Sequence, residues 1–290
     1  MSDWSGRPHD RRDFLARLGG LGALAALGPM ASRPETRAAA LRFGIQLYAV
    51  RDVIKDDVPG TLAALAQMGY REVELAGLYG KTATEFRAAL RAAGLVAPSS
   101  HVGLPALTDH LDQTIADAKV LGHQYLIFPG VDDDTRDPAQ YRQLAETLNR
   151  AGEACRRAGF TVGYHNHSVE FSPYAGAGSG REGCGYDTLL HDTDPKLVVF
   201  ELDLYWVRHG GGDAIQYFTR HKGRFRAVHV KDMAPDGSMA DVGAGTMDWK
   251  TLLRAAQSAG VKHFFAEHDE AKDQLAFARA SAEYLTHLRL

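Results

Sequence analysis

Short apolar runs alternate with longer stretches in which apolar side chains recur at helical spacing, from residue 41 to the end of the chain. A short bounded run is typical of a buried strand, and a period of 3.6 residues is typical of an amphipathic helix. We predict strands at 42–47, 71–75, 95–101, 124–128, 160–165, 197–203, 225–230 and 262–267. Helices are predicted between them, among them 59–68, 83–93, 109–121, 138–158, 248–259 and 270–288.

Glycine ends several of these helices directly before the next strand, as expected of a left-handed helix terminus. The residues are Gly69, Gly94, Gly122, Gly159 and Gly260. Eight strand–helix units in about 250 residues predict a (β/α)8 TIM barrel, a single domain over residues 41–290. A doubly wound open sheet is the alternative fold. Its dinucleotide-binding form is disfavoured because no Gly-x-Gly-x-x-Gly turn follows the first strand.

The first 40 residues do not continue this alternation. Arg11 and Arg12 precede Phe14 and a weakly apolar, glycine-rich run at 18–28. Paired arginines before such a run resemble a Tat-type export signal, so we predict that residues 1–40 are a signal and linker and that the protein is periplasmic or otherwise exported. The alternative is an amphipathic or disordered tail with a chance arginine pair. The run is too short and too rich in glycine for a stable membrane span.

Composition narrows the class of partner. The chain is 45% hydrophobic and 24% charged with a net charge of −3, which is typical of a globular protein and gives no electrostatic case for nucleic-acid binding. Cys155 and Cys184 lack metal-type spacing, and a disulfide between them has no support in the sequence. We therefore expect a small-molecule substrate, and the oligomeric state stays open, a homo-oligomer included.

Polar side chains follow the ends of six predicted strands, where TIM barrels carry their active sites. In strand order they are Glu74; His101; His165 and His167; Glu201 and Asp203; His229 and Lys231; and Glu267, with His268 and Asp269 after it. Because strand side chains alternate between faces, His165 and His167 are expected to point the same way.

The spacing of four of these residues follows the barrel repeat. His165, Asp203, His229 and Glu267 are separated by 38, 26 and 38 residues, a mean of 34, which is about one strand–helix unit. A mixed nitrogen and oxygen set suits Mn²⁺, Zn²⁺, Fe²⁺ or Co²⁺ rather than Ca²⁺. The sequence therefore predicts a divalent metal site at one rim. The alternative is a set of polar rim residues without a metal.

Such a rim supports proton chemistry next to a carbonyl. A divalent cation that chelates a hydroxyl–ketone pair polarises the carbonyl and stabilises an enediolate, and a nearby carboxylate can remove the α-proton. Returning the proton elsewhere gives isomerisation or epimerisation, and expelling a β-substituent gives a lyase or dehydratase. The residue pattern alone does not choose among these outcomes.

Five stretches carry a family pattern: Tyr164-His165-Asn166-His167-Ser168-Val169-Glu170-Phe171, Glu201-Leu202-Asp203-Leu204-Tyr205-Trp206, His229-Val230-Lys231-Asp232, Gly243-Ala244-Gly245-Thr246-Met247-Asp248-Trp249 and Glu267-His268-Asp269. They resemble the sugar phosphate isomerase/epimerase group of the xylose-isomerase-like TIM-barrel superfamily, over nearly all of residues 41–290. The likeness is specific for the superfamily and weak for the substrate, because members include epimerases, isomerases, inosose dehydratases, keto-glycoside lyases and endonucleases.

The resemblance implies a metal set of Glu, Asp, His and Glu at the ends of strands five to eight. Asp203, His229 and Glu267 carry over, whereas His165 stands where relatives often have a glutamate. We expect His165 to be the fourth ligand, with His167 or Glu170 as alternatives. An imidazole in place of a carboxylate favours Zn²⁺, Co²⁺ or Mn²⁺ over Mg²⁺.

The same departure affects the chemistry that the resemblance implies. Epimerases of the superfamily use two metal-bound glutamates, and only Glu267 is in place here, so a one-base isomerase or an elimination fits more easily. We predict Glu267, Glu74 and Lys231 as catalytic residues. Predicted substrate contacts are His101, His167, Trp206 and Glu170.

Some of these residues also have structural alternatives. Glu74 suits a salt bridge, Lys231 suits an ion pair with Asp232 or Glu201, and Trp206 suits barrel packing. Asp248 is predicted to cap the helix that follows it.

We therefore predict a divalent-metal-dependent isomerase or epimerase acting on a sugar or keto-sugar. A lyase or dehydratase of the 3-keto-glycoside or inosose type is the first alternative, and an exported sugar-binding barrel without turnover is the second. A non-phosphorylated sugar or a 3-keto-glycoside is the expected substrate, because free sugar phosphates are scarce outside the cytoplasm. A nuclease is disfavoured by the acidic balance.

Overall fold

The computed structural model describes residues 42–132, 134, 137–174 and 183–290. The predicted export signal at residues 1–40 lies outside these ranges, so the signal and the exported location stay predictions. Within the described ranges, no helix has both the length and the apolar character that crossing a bilayer requires.

Eight parallel strands close into a barrel, because the first strand pairs with both the second and the last. We number the barrel strands β1 Gly44–Gln46, β2 Glu72–Leu75, β3 Val96–His101, β4 Tyr125–Phe128, β5 Thr161–His165, β6 Val198–Asp203, β7 Phe225–Val230 and β8 His263–Ala266. The predicted (β/α)8 barrel is confirmed, and the predicted strand ends differ from the observed ones by at most two residues.

Helices cover the outside of the barrel. The α-helices are Arg51–Ile54, Val58–Met68, Ala83–Ala93, Leu104–Leu107, Leu111–Leu121, Pro138–Ala158, Gly185–Asp192, Leu204–His209, Ala214–Arg220, Trp249–Ala259 and Gln274–His287. Two 3₁₀ turns are Leu47–Val50 and Val169–Phe171. The helices missing from the predicted set have eight residues or fewer, which is too short for a 3.6-residue period to emerge.

Residue types at the helix ends explain where the helices stop. The five predicted glycine ends are all left-handed, with φ between 70° and 112°, a conformation that disfavours side chains with a Cβ. At the other end, Thr82 and Glu85 form a reciprocal capping box that fixes the start of helix Ala83–Ala93.

The barrel interior is apolar at depth and charged near one end. Phe200, Phe225 and Phe265 are fully buried in the core. Gly44 allows the close approach of β8, since a Cβ there would lie 2.7 Å from the Phe265 ring. The buried charged residues lie mainly at or just beyond the carboxyl ends of the strands: Glu74, Glu201, Asp203, His229, Lys231 and Glu267, each 3% exposed or less.

A two-stranded hairpin, Asp232–Met233 with Met239–Ala240, follows β7. The Asp232 carboxylate accepts hydrogen bonds from the backbone N–H groups of Met233 at 2.8 Å, Gly243 at 2.8 Å and Met247 at 3.1 Å. It also accepts one from Trp249 Nε1 at 2.7 Å. Asp232 therefore holds the loop together rather than pairing with Lys231.

The helix after this loop begins as predicted. Asp248 accepts the N–H of Thr251 at 3.1 Å, which caps helix Trp249–Ala259.

Candidate metal centre

Three side chains meet where β6, β7 and β8 end. Asp203 is the last residue of β6, and its backbone pairs in register with His229 of β7. Glu267 directly follows β8. Asp203 also caps the next helix, because its Oδ1 accepts the N–H of Trp206 at 2.9 Å. That bond fixes the carboxylate and leaves Oδ2 outside the cap, 3.8 Å from His229 Nδ1.

We call Asp203 Oδ2, His229 Nδ1 and Glu267 Oε2 the rim cluster. His229 Nδ1 lies 2.5 Å from Glu267 Oε2 and 3.8 Å from Asp203 Oδ2, and all three atoms lie within 4.8 Å of one another. Each atom is buried, and its charged neighbours are the other members of the cluster and the Lys231 ammonium. Ligand-type atoms from three strand ends thus converge in a buried place, with two carboxylate oxygens on either side of one imidazole nitrogen. One nitrogen and two oxygens suit a divalent metal ion, so the cluster could hold one.

His165 lies beside the rim cluster at the end of β5. Its Nε2 is 4.0 Å from Asp203 Oδ2, and its Nδ1 is 3.2 Å from Glu201 Oε2. Of the three candidates for a fourth ligand, His165 is the one in an ion-pair contact with the rim cluster.

The other two candidates lie elsewhere. Glu170 is fully buried, and its two oxygens accept hydrogen bonds from Tyr164 Oη at 2.6 Å and from the His167 N–H at 3.0 Å. The structure therefore uses Glu170 to hold the turn after β5 and does not bring it to the rim cluster. The ring centroid of His167 lies 5.2 Å from that of His165 and 5.6 Å from that of Trp206, so His167 and Trp206 form one wall beside the cluster.

A second group of side chains lies one layer deeper, and we call it the inner cluster. It contains Glu74, His101 and Glu201, together with the inward nitrogens of His165 and His229. Glu201 Oε2 is 2.9 Å from His101 Nε2, 3.2 Å from His165 Nδ1 and 3.1 Å from His229 Nε2.

Glu74 and His101 were predicted as a catalytic residue and a substrate contact. Glu74 Oε2 accepts from Gln46 Nε2 and lies 2.8 Å from His229 Nε2, so Glu74 contacts a candidate ligand from below. His101 is bonded to Glu201 and is partly exposed. Glu201 was not predicted as a site residue. Its signal was available, since residues 201 and 203 share one face of β6.

Lys231 lies between the rim cluster and Asp269. Its Nζ is 3.0 Å from Asp203 Oδ2, 2.9 Å from Glu267 Oε2 and 2.8 Å from Asp269 Oδ2. The predicted alternative, an ion pair, is present, with these partners in place of Asp232 or Glu201. Burial disfavours the charged amine, yet the carboxylates hold the pKa of Lys231 well above its usual range. The Trp206 ring centroid is 5.7 Å from Nζ, within cation–π range.

Burial and charge set the protonation of the rim. Burial raises the pKa of Glu267, but Lys231 and His229 outweigh it and hold that pKa well below its usual range. Burial raises the pKa of Asp203 to about 6. Burial, with the charge of Lys231, lowers the pKa of His167 to about 4. Near neutral pH the rim therefore offers an ionised Glu267, a protonated Lys231 and a neutral His167.

The family model for a xylose isomerase-like TIM barrel matches residues 62–288. Inosose dehydratase of Geobacillus kaustophilus is 26% identical over 215 residues, which is 63% of this chain and 67% of that protein. Inosose dehydratase of Salmonella agona is 23% identical over 273 residues, 78% of this chain and 87% of that protein. The chain spans only 52% to 54% of the length of three other inosose dehydratases.

A solved structure shares both sequence and shape with this chain. The sugar phosphate isomerase/epimerase of Parabacteroides distasonis is 26% identical, with a TM-score of 0.74 over 88% of this chain and 98% of that one. The family match begins inside helix Val58–Met68 and ends just after the last helix, and the residues of the rim cluster and the inner cluster lie within it. This chain therefore belongs to the xylose isomerase-like TIM barrel family.

Proposed function

We propose that this protein is a divalent-metal-dependent lyase that removes water from a sugar or sugar-like ring ketone. The observation that carries the proposal is the pairing of Glu267 with Lys231, whose Oε2 and Nζ lie 2.9 Å apart beside the rim cluster. An elimination needs one base and one acid close together. His165 stands in the position where an epimerase of this superfamily has its second carboxylate.

The metal would be held by Asp203, His229 and Glu267, with His165 as the fourth ligand. When bound, the ion supplies Lewis acidity that polarises the substrate carbonyl and makes the neighbouring C–H more acidic. Two imidazoles among four ligands favour Mn²⁺, Zn²⁺ or Co²⁺ over Mg²⁺.

The proton transfers follow from the charges at the rim. Glu267, held ionised, accepts the proton from the carbon next to the carbonyl. The electron pair of that C–H bond forms the C=C bond as the C–O bond at the next carbon breaks. Lys231, held protonated, gives its proton to the leaving hydroxyl, which departs as water. A proton then passes from Glu267 to Lys231 over 2.9 Å, which restores both groups.

Trp206 and His167 are the proposed substrate contacts. Sugar rings pack well on aromatic faces, and Trp206 is only partly buried. The neutral imidazole of His167 has both a hydrogen-bond donor and an acceptor for ring hydroxyls. If residues 1–40 direct export, a non-phosphorylated ketone is the preferred substrate.

Isomerisation or epimerisation is the second candidate, because the P. distasonis protein is named for that activity. Glu267 would then act as a single base that removes the proton and returns it to the neighbouring carbon, because its pKa is held well below the usual range.

The test is incubation of metal-loaded protein in D₂O with a panel of inososes, 3-keto-glycosides and ketoses, followed by mass spectrometry. A chelator-sensitive product lighter by one water supports the lyase. A product of substrate composition with deuterium next to the carbonyl supports the isomerase or epimerase. Tight binding that is insensitive to chelator, with neither product, indicates a sugar-binding barrel without turnover and refutes both. Lys231→Met should lose dehydration, and Lys250→Met, at an exposed lysine, should retain it.

A further inference from the structure

Glu201 lies at the centre of the inner cluster. It is fully buried on β6, two residues before Asp203. Three imidazole nitrogens, from His101, His165 and His229, lie within 3.2 Å of its Oε2. A single carboxylate oxygen thus gathers histidines from β3, β5 and β7.

Two of these rings reach the rim with their second nitrogen. His229 directs Nε2 to the inner cluster and Nδ1 to Glu267. His165 directs Nδ1 to Glu201 and Nε2 towards Asp203. Each ring therefore spans from a buried carboxylate to the place where a metal ion would bind.

The two sides of these rings differ in their contacts. His165 Nδ1 has hydrogen-bond geometry to Glu201 Oε2 at 3.2 Å, and His229 Nε2 has it to Glu74 Oε2 at 2.8 Å. On the rim side, His229 Nδ1 and His165 Nε2 face Glu267 Oε2 at 2.5 Å and Asp203 Oδ2 at 4.0 Å, the oxygens proposed to hold the metal. Both inward nitrogens lie where an N–H can donate to a carboxylate, and in that tautomer each ring directs its lone pair to the rim, as a ligating histidine requires.

We propose that Glu201 is a positioning residue for the metal, because it fixes the orientation and the proton of both histidine ligands. His165 stands where relatives often have a glutamate, and the Glu201 carboxylate behind it supplies the negative charge of that missing glutamate. The inference rests on the proposed metal site. Carboxylates behind ligating histidines raise the basicity of the ring, and losing one typically weakens metal binding by about 10- to 100-fold.

Glu74 is the natural comparison within the inner cluster. Its Oε2 reaches His229 and His101 and also accepts from Gln46, and no contact joins it to His165. Glu201 contacts both proposed ligands, whereas Glu74 contacts one. Glu201→Gln should therefore weaken metal binding more than Glu74→Gln does.

The experiment measures the affinity and stoichiometry of Mn²⁺ and Co²⁺ by calorimetry, and the visible spectrum of bound Co²⁺. The wild type should bind one ion per chain. Glu201→Gln should bind about 10- to 100-fold more weakly with an altered Co²⁺ spectrum. The matched control is Glu72→Gln, because Glu72 pairs with His263 Nδ1 at 2.8 Å at the opposite end of the barrel. That variant should bind as the wild type does.

Several outcomes would overturn the proposal. The first is a Glu201→Gln variant that binds the metal with the affinity and the Co²⁺ spectrum of the wild type. The second is a wild type that binds two ions and a variant that binds one, because the inner cluster would then be a second metal site. If Glu201→Gln does not fold, Glu201→Asp answers the same question, since an unchanged Co²⁺ spectrum would show that the carboxylate position does not matter. A wild type that binds no ion would instead refute the proposed function itself.

Discussion

Lys231→Met should destabilise the metal-free protein strongly. The Lys231 ammonium is 2% exposed, and three carboxylates lie within 3.0 Å of it. Removing one partner of a buried ion pair costs about 3–5 kcal/mol, because the remaining charge is left without compensation. In a barrel of this size each kcal/mol lowers Tm by roughly 2–4 °C, so the expected fall is roughly 6–20 °C.

Bound metal and low pH should both reduce the loss of stability caused by Lys231→Met. The Lys231 ammonium contacts Asp203 Oδ2 and Glu267 Oε2, the oxygens proposed to hold the metal, so the variant should bind Mn²⁺ more tightly and gain more Tm from it than the wild type. Without the lysine, the raised pKa of Asp203 rises further above its unfolded value. A carboxyl group with a raised pKa in the folded state makes the folded state less stable as pH rises. The loss of stability caused by Lys231→Met should therefore be largest above about pH 6 and smaller below it.

Thermal melts by circular dichroism, with EDTA or with Mn²⁺, between pH 5 and pH 8 measure these effects. The matched control is Lys55→Met, because the Lys55–Asp52 pair has a similar 3.0 Å distance but side chains 55% and 62% exposed. Water screens such an exposed pair, so Lys55→Met should leave Tm nearly unchanged. The reasoning would be refuted if the metal-free Lys231→Met protein had the same Tm as Lys55→Met. It would also be refuted if Mn²⁺ raised the Tm of the Lys231→Met variant and of the wild type equally.

Three further predictions concern the loop, the rim and the N-terminus. Asp232→Ala should lower the free energy of unfolding in urea by about 2–4 kcal/mol, because four donors lose one buried acceptor. The exposed cap variant Asp248→Ala should lower it much less, and equal losses would contradict the role of Asp232. The wild type should lose stability as pH falls from about 6.5 to 4, because the lowered pKa of His167 makes the unfolded state bind more protons in this range. His167→Gln should reduce this loss, and parallel stability–pH curves for variant and wild type would contradict the prediction. Residues 1–40 fused to a reporter should direct its export, and replacing both Arg11 and Arg12 by lysine should stop it; export that persists would remove the twin-arginine assignment.

The barrel was predictable because its signals are local and repeat along the chain. Six of the eight apolar runs are followed by polar site residues, and left-handed glycines end five of the helices, so strand number and spacing follow from the sequence. Helices of one or two turns were not predictable, since Leu204–His209 and Ala214–Arg220 owe their form to caps at Asp203 and Asp213.

The site was predictable in its outline. Asp203, His229 and Glu267 do converge, as their positions at strand ends predict. The roles of Glu74 and Glu170 could not be ranked, because depth inside a barrel depends on strand tilt and side-chain direction, which a linear pattern does not contain. Strand alternation places Glu201 on the same face of β6 as Asp203, but it does not show how deep the Glu201 side chain lies. At the level of sequence it precedes Asp203, and only packing shows that it lies beneath three histidines.

The two halves of the barrel contribute different parts of this centre. The proposed metal ligands and Lys231 all lie on β5 to β8 or directly after them, while β1 to β4 contribute Gln46, Glu74 and His101 to the layer below. An exchange of the first half between relatives would therefore keep every proposed ligand and alter only the surroundings that tune it. If the site binds a metal as proposed, its affinity can be tuned through the first half of the fold while the ligands of the second half stay unchanged.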